Sequence, residues 1–306
     1  MSASFANLHL LMVLAETQSF TQAARRLGIS KASVSSRIAE LERETGVPLV
    51  RRTTRSVVLT QAGVQLVEDN QAAFAHIEQS FARVRDMAEV PRGLIRVTAP
   101  VALGRQHLAV LLPEFLHRHP EIQIELDLND SLLNLARGGF DLAVRHAHTA
   151  PDTYVAWELT PTRSLLCASP DYLAQAGTPQ HPSELARHRC LPYLRSGVEP
   201  AWSFEHALLQ THAERVSVRV TGPLKVNNSE VLRQAVLGGL GIGLLPDFTA
   251  MQALRSGQIE AVLPDWKPLG FFGDRLFAIR PWSPHVPMAV QRFVSHLKTS
   301  FSGGFT

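Results

Sequence analysis

The sequence predicts a multidomain chain in which an α+β head, a small helical bundle with a two-stranded wing, precedes a long helix and an α/β body of two lobes. Three observations carry that expectation. At 306 residues the chain exceeds one ordinary domain. Its charge is uneven. Residues 20–60 hold Arg25, Arg26, Lys31, Arg37, Arg43, Arg51, Arg52 and Arg55 against Glu40, Glu42 and Glu44, whereas residues 93–306 carry nineteen basic and eighteen acidic groups. A basic head on a neutral body points to an anionic polymer as partner of the head. The hydrophobic period also changes, from helical before Pro91-Arg92-Gly93 to alternating strands and helices after it.

Composition narrows the class further. Apolar residues make up 45% and charged residues 19%, enough to bury cores and too ordered for a disordered chain. No apolar run approaches the ~20 residues a membrane span needs, so no membrane is expected as partner. Met1-Ser2-Ala3-Ser4-Phe5 places no basic residue ahead of an apolar stretch, and no secretory signal is expected. Cys167 and Cys190 are the two cysteines, too few for a disulfide scaffold and suited to a reducing cytosol.

In the head, Leu8, Leu11, Met12 and Ala15 recur at helical spacing. Ser19-Phe20-Thr21-Gln22 fits a capping box, the helix behind it buries Ala23, Ala24 and Leu27, and Gly28 stops it. Ser30 caps a third helix with the stripe Val34, Ile38, Leu41 and Thr45, which Gly46 and Pro48 end. Two helices joined by Gly28-Ile29-Ser30 form a helix-turn-helix pattern. The β-branched residues between 49 and 59, around Arg51, Arg52 and Arg55, predict the wing. The outward face of the third helix offers Lys31, Ser33, Ser36 and Arg37, with Ser35 at its edge. Such short hydroxyls and cations suit a major groove, and Arg52 and Arg55 suit phosphates or the minor groove. The bland alternative is a solvated basic cap.

Thr60 caps a helix expected to reach about Ala88. Val67, Asn70, Phe74, Ile77, Phe81, Val84 and Ala88 follow a 3-4 spacing, either a dimeric seam registered by Asn70 or a face packed on its own domain. Beyond the boundary, strands are expected at 94–98, 122–128, 141–145, 165–169, 216–220 and 242–246. Helices are expected around Leu108, Leu111 and Phe115, at Leu132, Leu133 and Leu135, at 229–237 and after 246. Alternating βαβ units imply parallel sheets covered on both faces, in two lobes, with ligands outside the C-terminal strand ends. The domain limits are 1–60, 61–89 and 90–306, with one lobe over about 93–162 and 271–300 and the other over about 163–270.

Other motifs are weighed against plainer readings. Gly238-Gly239-Leu240-Gly241-Ile242-Gly243 follows a helix and precedes a strand, the reverse of a dinucleotide loop, and reads as an αβ turn. His117 and His119 would point to different helix faces, and His146 and His148 lack a matching carboxylate or cysteine set, so neither a metal nor another cofactor is expected. The cysteines read as buried thiols or, alternatively, a peroxide sensor. Arg145 ends a strand where a ligand would sit, and reads equally as a ligand group or an internal salt bridge.

Across 19–63 the run Ser19-Phe20-Thr21-Gln22-Ala23-Ala24, Leu27, Ser30, Val34-Ser35, Ile38, Leu41-Glu42, Gly46, Leu49, Arg52, Arg55 and Leu59-Thr60-Gln61-Ala62-Gly63 resembles the winged helix-turn-helix of LysR-type transcriptional regulators. The resemblance continues through Val97-Thr98-Ala99-Pro100, Pro113-Glu114-Phe115, His119-Pro120, Asp141-Leu142-Ala143-Val144-Arg145, Cys167-Ala168-Ser169-Pro170-Asp171-Tyr172-Leu173 and Gly238 to Ile242. It implies a periplasmic-binding-protein-like effector domain, a homodimer or homotetramer through the linker helix, double-stranded operator DNA, a small-molecule effector and contact with RNA polymerase. It places DNA contacts at Thr21, Lys31, Ala32, Ser35, Ser36, Arg52 and Arg55. Two positions depart from the pattern: Ser36 stands where many members have Arg, and Val50 where many have an aromatic. It places the effector against Val101-Ala102-Leu103, Ser131 and Asn227-Asn228-Ser229, beside Arg145. Helix-start N–H groups, two serine hydroxyls and that guanidinium would suit a small organic carboxylate. The rival class is an α/β enzyme with an accessory DNA-binding head, for which no nucleophile–base or metal set is found.

Overall fold

The side chain of Ser19 accepts from the Gln22 N–H, and Gly28 takes the left-handed conformation at φ 65°. Between these two punctuation marks lies α2, Phe20–Leu27. The computed structural model describes residues 2–52, 57–86, 90–130, 139–149, 154–194, 200–206, 215–270 and 272–305. They form two compact units, one of Met1–Val90 and a larger one built mainly from the chain beyond it.

In the first unit α1 (Ser2–Thr17), α2 and α3 (Lys31–Thr45) pack around Leu10, Leu11, Leu14, Ala23, Val34, Ile38 and Leu41. The buried stripe of α1 differs from the predicted one. It runs Asn7, Leu10, Leu11 and Leu14, turned from the stripe through Leu8 and Met12, because the buried Asn7 amide donates to Glu40 Oε2 at 3.1 Å. A polar residue that buries itself through a bond from another helix is invisible to hydrophobic periodicity. Thr45 also leaves the predicted core of α3: it is exposed, its hydroxyl donating back to the Leu41 carbonyl. Strands β1 (Val50–Arg52) and β2 (Val57–Leu59) pair antiparallel, Val50 opposite Leu59.

Thr60 Oγ1 accepts from the Gly63 N–H at 3.1 Å and starts α4, Gln61–Asp86. Of the predicted seam, Phe74 is buried within its own unit, stacked on Phe5 with centroids 4.7 Å apart and on His9. Val67, Asn70 and Ile77 are half-buried, and the Asn70 amide donates to the Leu66 carbonyl of its own helix. Phe81 and Val84 are 66% and 64% exposed, while Ala88 lies outside the described residues. The two readings of this helix thus divide along its length: the N-terminal part packs on α1, and the C-terminal part presents bare apolar groups.

The larger unit has two lobes. In lobe I, β3 (Gly93–Ala99) lies between β4 (Ile122–Leu128) and β5 (Leu142–Ala147), and the sheet continues through β6 (Tyr154–Pro161) and the late strand β14 (Arg275–Pro281) in the order β4-β3-β5-β14-β6. A helix from α5 (Val101–Leu103) through a π-helical turn, Gly104–Leu108, to α6 (Ala109–Arg118) covers the sheet together with the C-terminal helix Met288–Phe301. The helix predicted through Leu132, Leu133 and Leu135 lies outside the described residues.

Lobe II contains β7 (Ser164–Ala168), α7 (Pro170–Ala176), β8 (Cys190–Leu191), β9 (Ala201–His206), β10 (Arg215–Arg219), α8 (Ser229–Leu237), β11 (Ile242–Pro246), α9 (Asp247–Arg255), β12 (Glu260–Ala261) and β13 (Trp266–Leu269). One sheet runs β12-β7-β11-β8, and β10, β9 and β13 make a separate antiparallel sheet. The sheets are mixed, not parallel as predicted. β3 is parallel to β4 and β5, but β14 is antiparallel to both β5 and β6, and β11 is antiparallel to β7. The cause is the connection between lobes. β6 carries the chain out of lobe I, and β14, which brings it back, must run the other way.

The glycine-rich stretch is the predicted αβ turn. The Leu240 N–H reaches back to Ala235 O, Gly239 has φ 71°, and a Cβ on Gly241 would stand 2.2 Å from the Arg189 carbonyl oxygen. Among the described residues no helix is long and apolar enough to cross a membrane.

Candidate functional site

The exposed side of α3 gathers Lys31, Ala32, Ser36 and Arg37, while Val34, Ile38 and Leu41 face the core. Ser35 is half-buried at the edge. Ser33 does not join the exposed set, because its N–H and hydroxyl both engage Ser30 Oγ, at 3.0 and 2.9 Å, and it serves the helix cap. Thr21 is exposed in the first turn of α2 and Arg51 on β1. Arg52 belongs to β1, and Arg55 lies outside the described residues. Arg26 is paired with Glu16, which removes one cation from the excess counted in sequence.

A group that the sequence reading passed over as a signature position is Glu42. Its Oε1 accepts from the N–H groups of Leu49 and Val50, at 2.8 and 3.0 Å. Its only sequence signal was its place in Leu41-Glu42, four residues before Gly46.

The second candidate site lies where α5 and α8 meet. Here Asp130 is the centre, a residue the sequence reading did not select. Its Oδ1 accepts from the Val101 N–H at 3.1 Å, and its Oδ2 accepts from the Asn228 side-chain amide at 2.6 Å. Asn228 is itself the N-cap of α8, its Oδ1 accepting from the N–H groups of Glu230 and Val231. Glu230 then reaches Arg105 Nη1 at 3.1 Å and Gln106 Nε2 at 3.0 Å. Polar groups of the two lobes are therefore joined at this point.

Several expected lining groups have other work. Ala102 and Leu103 are fully buried in the lobe I core, which leaves Val101 alone half-buried on that side. Their apolar side chains fill the lobe. Ser229 is buried with its hydroxyl 3.1 Å from Thr249 Oγ1. Asn227 is exposed and accepts on its carbonyl from Tyr193 OH. Ser131 lies outside the described residues. Arg145 donates to the Asn129 carbonyl at 2.7 Å and to Thr98 Oγ1 at 3.0 Å. Burial lowers its pKa from the ordinary value, opposed by the nearby charges of Asp130 and Asp127. Both of these bonds go to neutral oxygens.

The two chain crossings between lobes are pinned together. Thr162 donates from N to Asp274 O and from Oγ1 to Gly273 O, at 2.8 and 2.9 Å. Asp247, at the start of α9, accepts from the Arg163 and Phe248 N–H groups at 3.0 and 2.8 Å. Burial nevertheless pushes its carboxyl up to about 6, against the opposing pull of those N–H groups and of the Arg163 charge. Cys167 and Cys190 are both buried, on β7 and β8, and burial pushes each thiol up to about 12. Thiols so protonated at neutral pH are inert, which disfavours the sensor alternative. His148 sits 3.6 Å from Asp274, and among the described residues no group of three or more His, Cys, Asp or Glu is placed to hold a metal.

Residues 5–64 match the family pattern described as "Bacterial regulatory helix-turn-helix protein, lysR family", and residues 88–302 match "LysR substrate binding domain". The chain is 31% identical over 291 residues to "Probable HTH-type transcriptional regulator LtrA" of Klebsiella pneumoniae, covering 95% of this chain and 93% of that one. It is 30% identical to "HTH-type transcriptional regulator PtxR" of Pseudomonas aeruginosa, over 95% of this chain and 91% of the relative. Among solved structures, a full-length AphB variant aligns with TM-score 0.71 and 25% identity, over 96% of this chain and 97% of that one. CrgA of Neisseria meningitidis aligns with TM-score 0.60 and 27% identity, over 96% and 97%.

The raised carboxyl of Asp247 has a consequence for stability. A folded pKa of about 6 against an ordinary 3.8 means the folded state holds that proton longer than the unfolded chain. The group's contribution is complete below the unfolded value and is lost as pH rises through about 6. Asp247→Asn should therefore gain stability relative to the native chain between pH ~4 and ~7, by an amount on the order of 1–3 kcal/mol. Urea unfolding at both pH values checks this, and a difference that does not change with pH refutes it.

Proposed function

The chain belongs to the LysR family of transcriptional regulators, with a DNA-binding head and a small-molecule-binding α/β body, and from that premise we propose how this chain divides the work. The body is the family's sensor domain, not a catalytic one, which sets the enzyme alternative aside. In the head, Lys31, Ala32, Ser35, Ser36 and Arg37 of α3 face the major groove, while Arg52 and Arg55 of the wing and Thr21 of α2 bind phosphate or the minor groove. The observation that supports this most is the exposed run of small and cationic side chains along α3, opposite its buried stripe. Arg55→Ala should weaken all sequences alike and lower the slope of log affinity against log salt by roughly one unit. Arg37→Ala should relax preference at particular base pairs by ~1–3 kcal/mol. Titrations over salt and site variants test the division, and identical profiles for the two variants reject it.

The family forms oligomers, and in this chain the exposed end of α4 is the proposed contact between two copies. Phe81 and Val84 supply bare apolar surface at helical spacing, with the half-buried Ile77 one turn before them. Phe74 is a poor probe, since its loss would damage packing on Phe5. Phe81→Glu with Val84→Glu should dissociate the dimer and reduce operator affinity toward the half-site level. Sedimentation of an unchanged oligomer would move the contact elsewhere.

For the effector we infer a small organic carboxylate bound between the lobes near Val101, Asn228 and Arg145. Support comes from Asp130, whose carboxylate already occupies the Val101 N–H and the Asn228 amide with Arg145 close by. A ligand carboxylate that replaced it would exchange one set of charge-assisted bonds for another and free the contact between lobes. That shift in closure would reposition the heads on DNA and their access to RNA polymerase. Calorimetric screening of small acids, amines and neutral metabolites is the test. An acid should bind tightest, and Arg145→Ala should weaken it about ten- to hundredfold while DNA binding persists. A cation or neutral compound that binds tightest, unaffected by Arg145→Ala, rejects the reading.

A further inference from the structure

We propose that Glu42 is a positioning residue for the wing, and through the wing for the phosphate contacts of the head. The inference rests on the wing–phosphate reading above and adds the group that aims it. Glu42 lies in the C-terminal part of α3, the helix that carries the exposed basic face. One oxygen of its carboxylate takes two successive peptide N–H groups, those of Leu49 and Val50, at 2.8 and 3.0 Å. Val50 is the first residue of β1. Two N–H groups converging on one oxygen fix both the position of this backbone and its direction, and ionised acceptors make the stronger hydrogen bonds.

The same short segment is gripped from its other side by the start of α4. Thr60 donates from N to Leu49 O at 2.9 Å and from Oγ1 to Pro48 O at 2.7 Å. Gly63 packs so closely that a Cβ there would stand 2.2 Å from Leu49 O. The side chain of Leu49 is buried in the head's core. Pro48, Leu49 and Val50 are thus suspended between α3 and α4, with the Leu49 and Val50 N–H groups bonded to Glu42 of α3. Because β1 and β2 pair in register from Val50–Leu59 to Arg52–Val57, the hairpin turns as one piece about this point. Its charges meet phosphates in step with the bases under α3 only while the clasp holds that angle.

The test uses the full-length protein and a DNA fragment selected by it from a random pool. Salt dependence, base preference and the DNA-binding-competent fraction are measured for the native chain, Glu42→Ala, Glu42→Gln, Arg55→Ala and the Glu42→Ala/Arg55→Ala double variant. Glu42→Ala should lower the salt slope by roughly one to two units, with base preference and competent fraction unchanged. Glu42→Gln keeps an oxygen that accepts N–H bonds and should lose less than half as much slope. The double variant should lose no more slope than Glu42→Ala alone, since a misaimed wing has already forfeited its contact. A native slope with a reduced competent fraction would reduce Glu42 to a fold-holding role and overturn the proposal, as would native behaviour throughout. If Arg55→Ala keeps the native slope while Glu42→Ala lowers it, the assignment of Arg55 fails and the clasp stands. Native slopes in both reject both.

Discussion

Carboxylate oxygens seated on backbone N–H groups hold this protein at the junctions between its elements. Glu42 takes two such groups at the base of the wing, and Asp130 takes the Val101 N–H at the start of α5. Asp141 accepts from the Arg96 N–H at 2.8 Å and ties the entry of β5 to β3. Asp247 takes the N–H groups of Arg163 and Phe248 where the lobes connect. A peptide N–H that ends a ladder or begins a helix must find an acceptor, and an ionised oxygen serves better than a neutral one except where burial costs more, as at Asp247. Surface ion pairs such as Arg118–Glu114 are worth little by comparison, because water screens both partners. Charge contributes here chiefly by orienting backbone.

That device sets polar groups at the junctions between elements. Two lobes joined by two adjacent crossings can change their closure where the groups between them change partners. Asp130, Asn228, Glu230, Arg105 and Gln106 form such a set, linking the loop after β4 and the helix after β3 to the cap of α8. One buried core centres on Phe115 and Phe293 and another on Trp202 and Phe204, while Phe248 of α9 packs into the first. Close-packed interiors resist continuous deformation, so the proposed ligand would act on the polar seam, with the lobes responding as bodies.

In the head, two kinds of surface are kept apart on single helices. α3 turns Val34, Ile38 and Leu41 inward and its cations outward. α4 spends Phe74 on α1 near its middle and leaves Phe81 and Val84 bare further on. One helix can therefore serve its own unit and still retain apolar surface for a second copy.

How much of this was legible in the chain follows from the range of each interaction. Ser19, Gly28, Ser30 and Thr60 announced helix limits because caps act within three or four residues. The exposed set on α3 followed from a 3.6-residue period, and the αβ turn around Gly241 from the order of its neighbours. Local chemistry, readable at short range, thus determined the helices of the head, the wing and most strands of the body. Antiparallel β14 was decided elsewhere, by a chain that must leave lobe I and return more than a hundred residues later. So was the place of Asn7, buried because Glu40 meets it from another helix. The family resemblance put Ala102, Leu103 and Ser229 at the cleft, yet packing drew them inward. Asp130 had no local pattern at all. Its role exists only because Val101 and Asn228, 29 and 98 residues away, present N–H groups to the same carboxylate. Spacing along a chain encodes faces and ends of elements, but which distant donor reaches which acceptor is set when the elements pack.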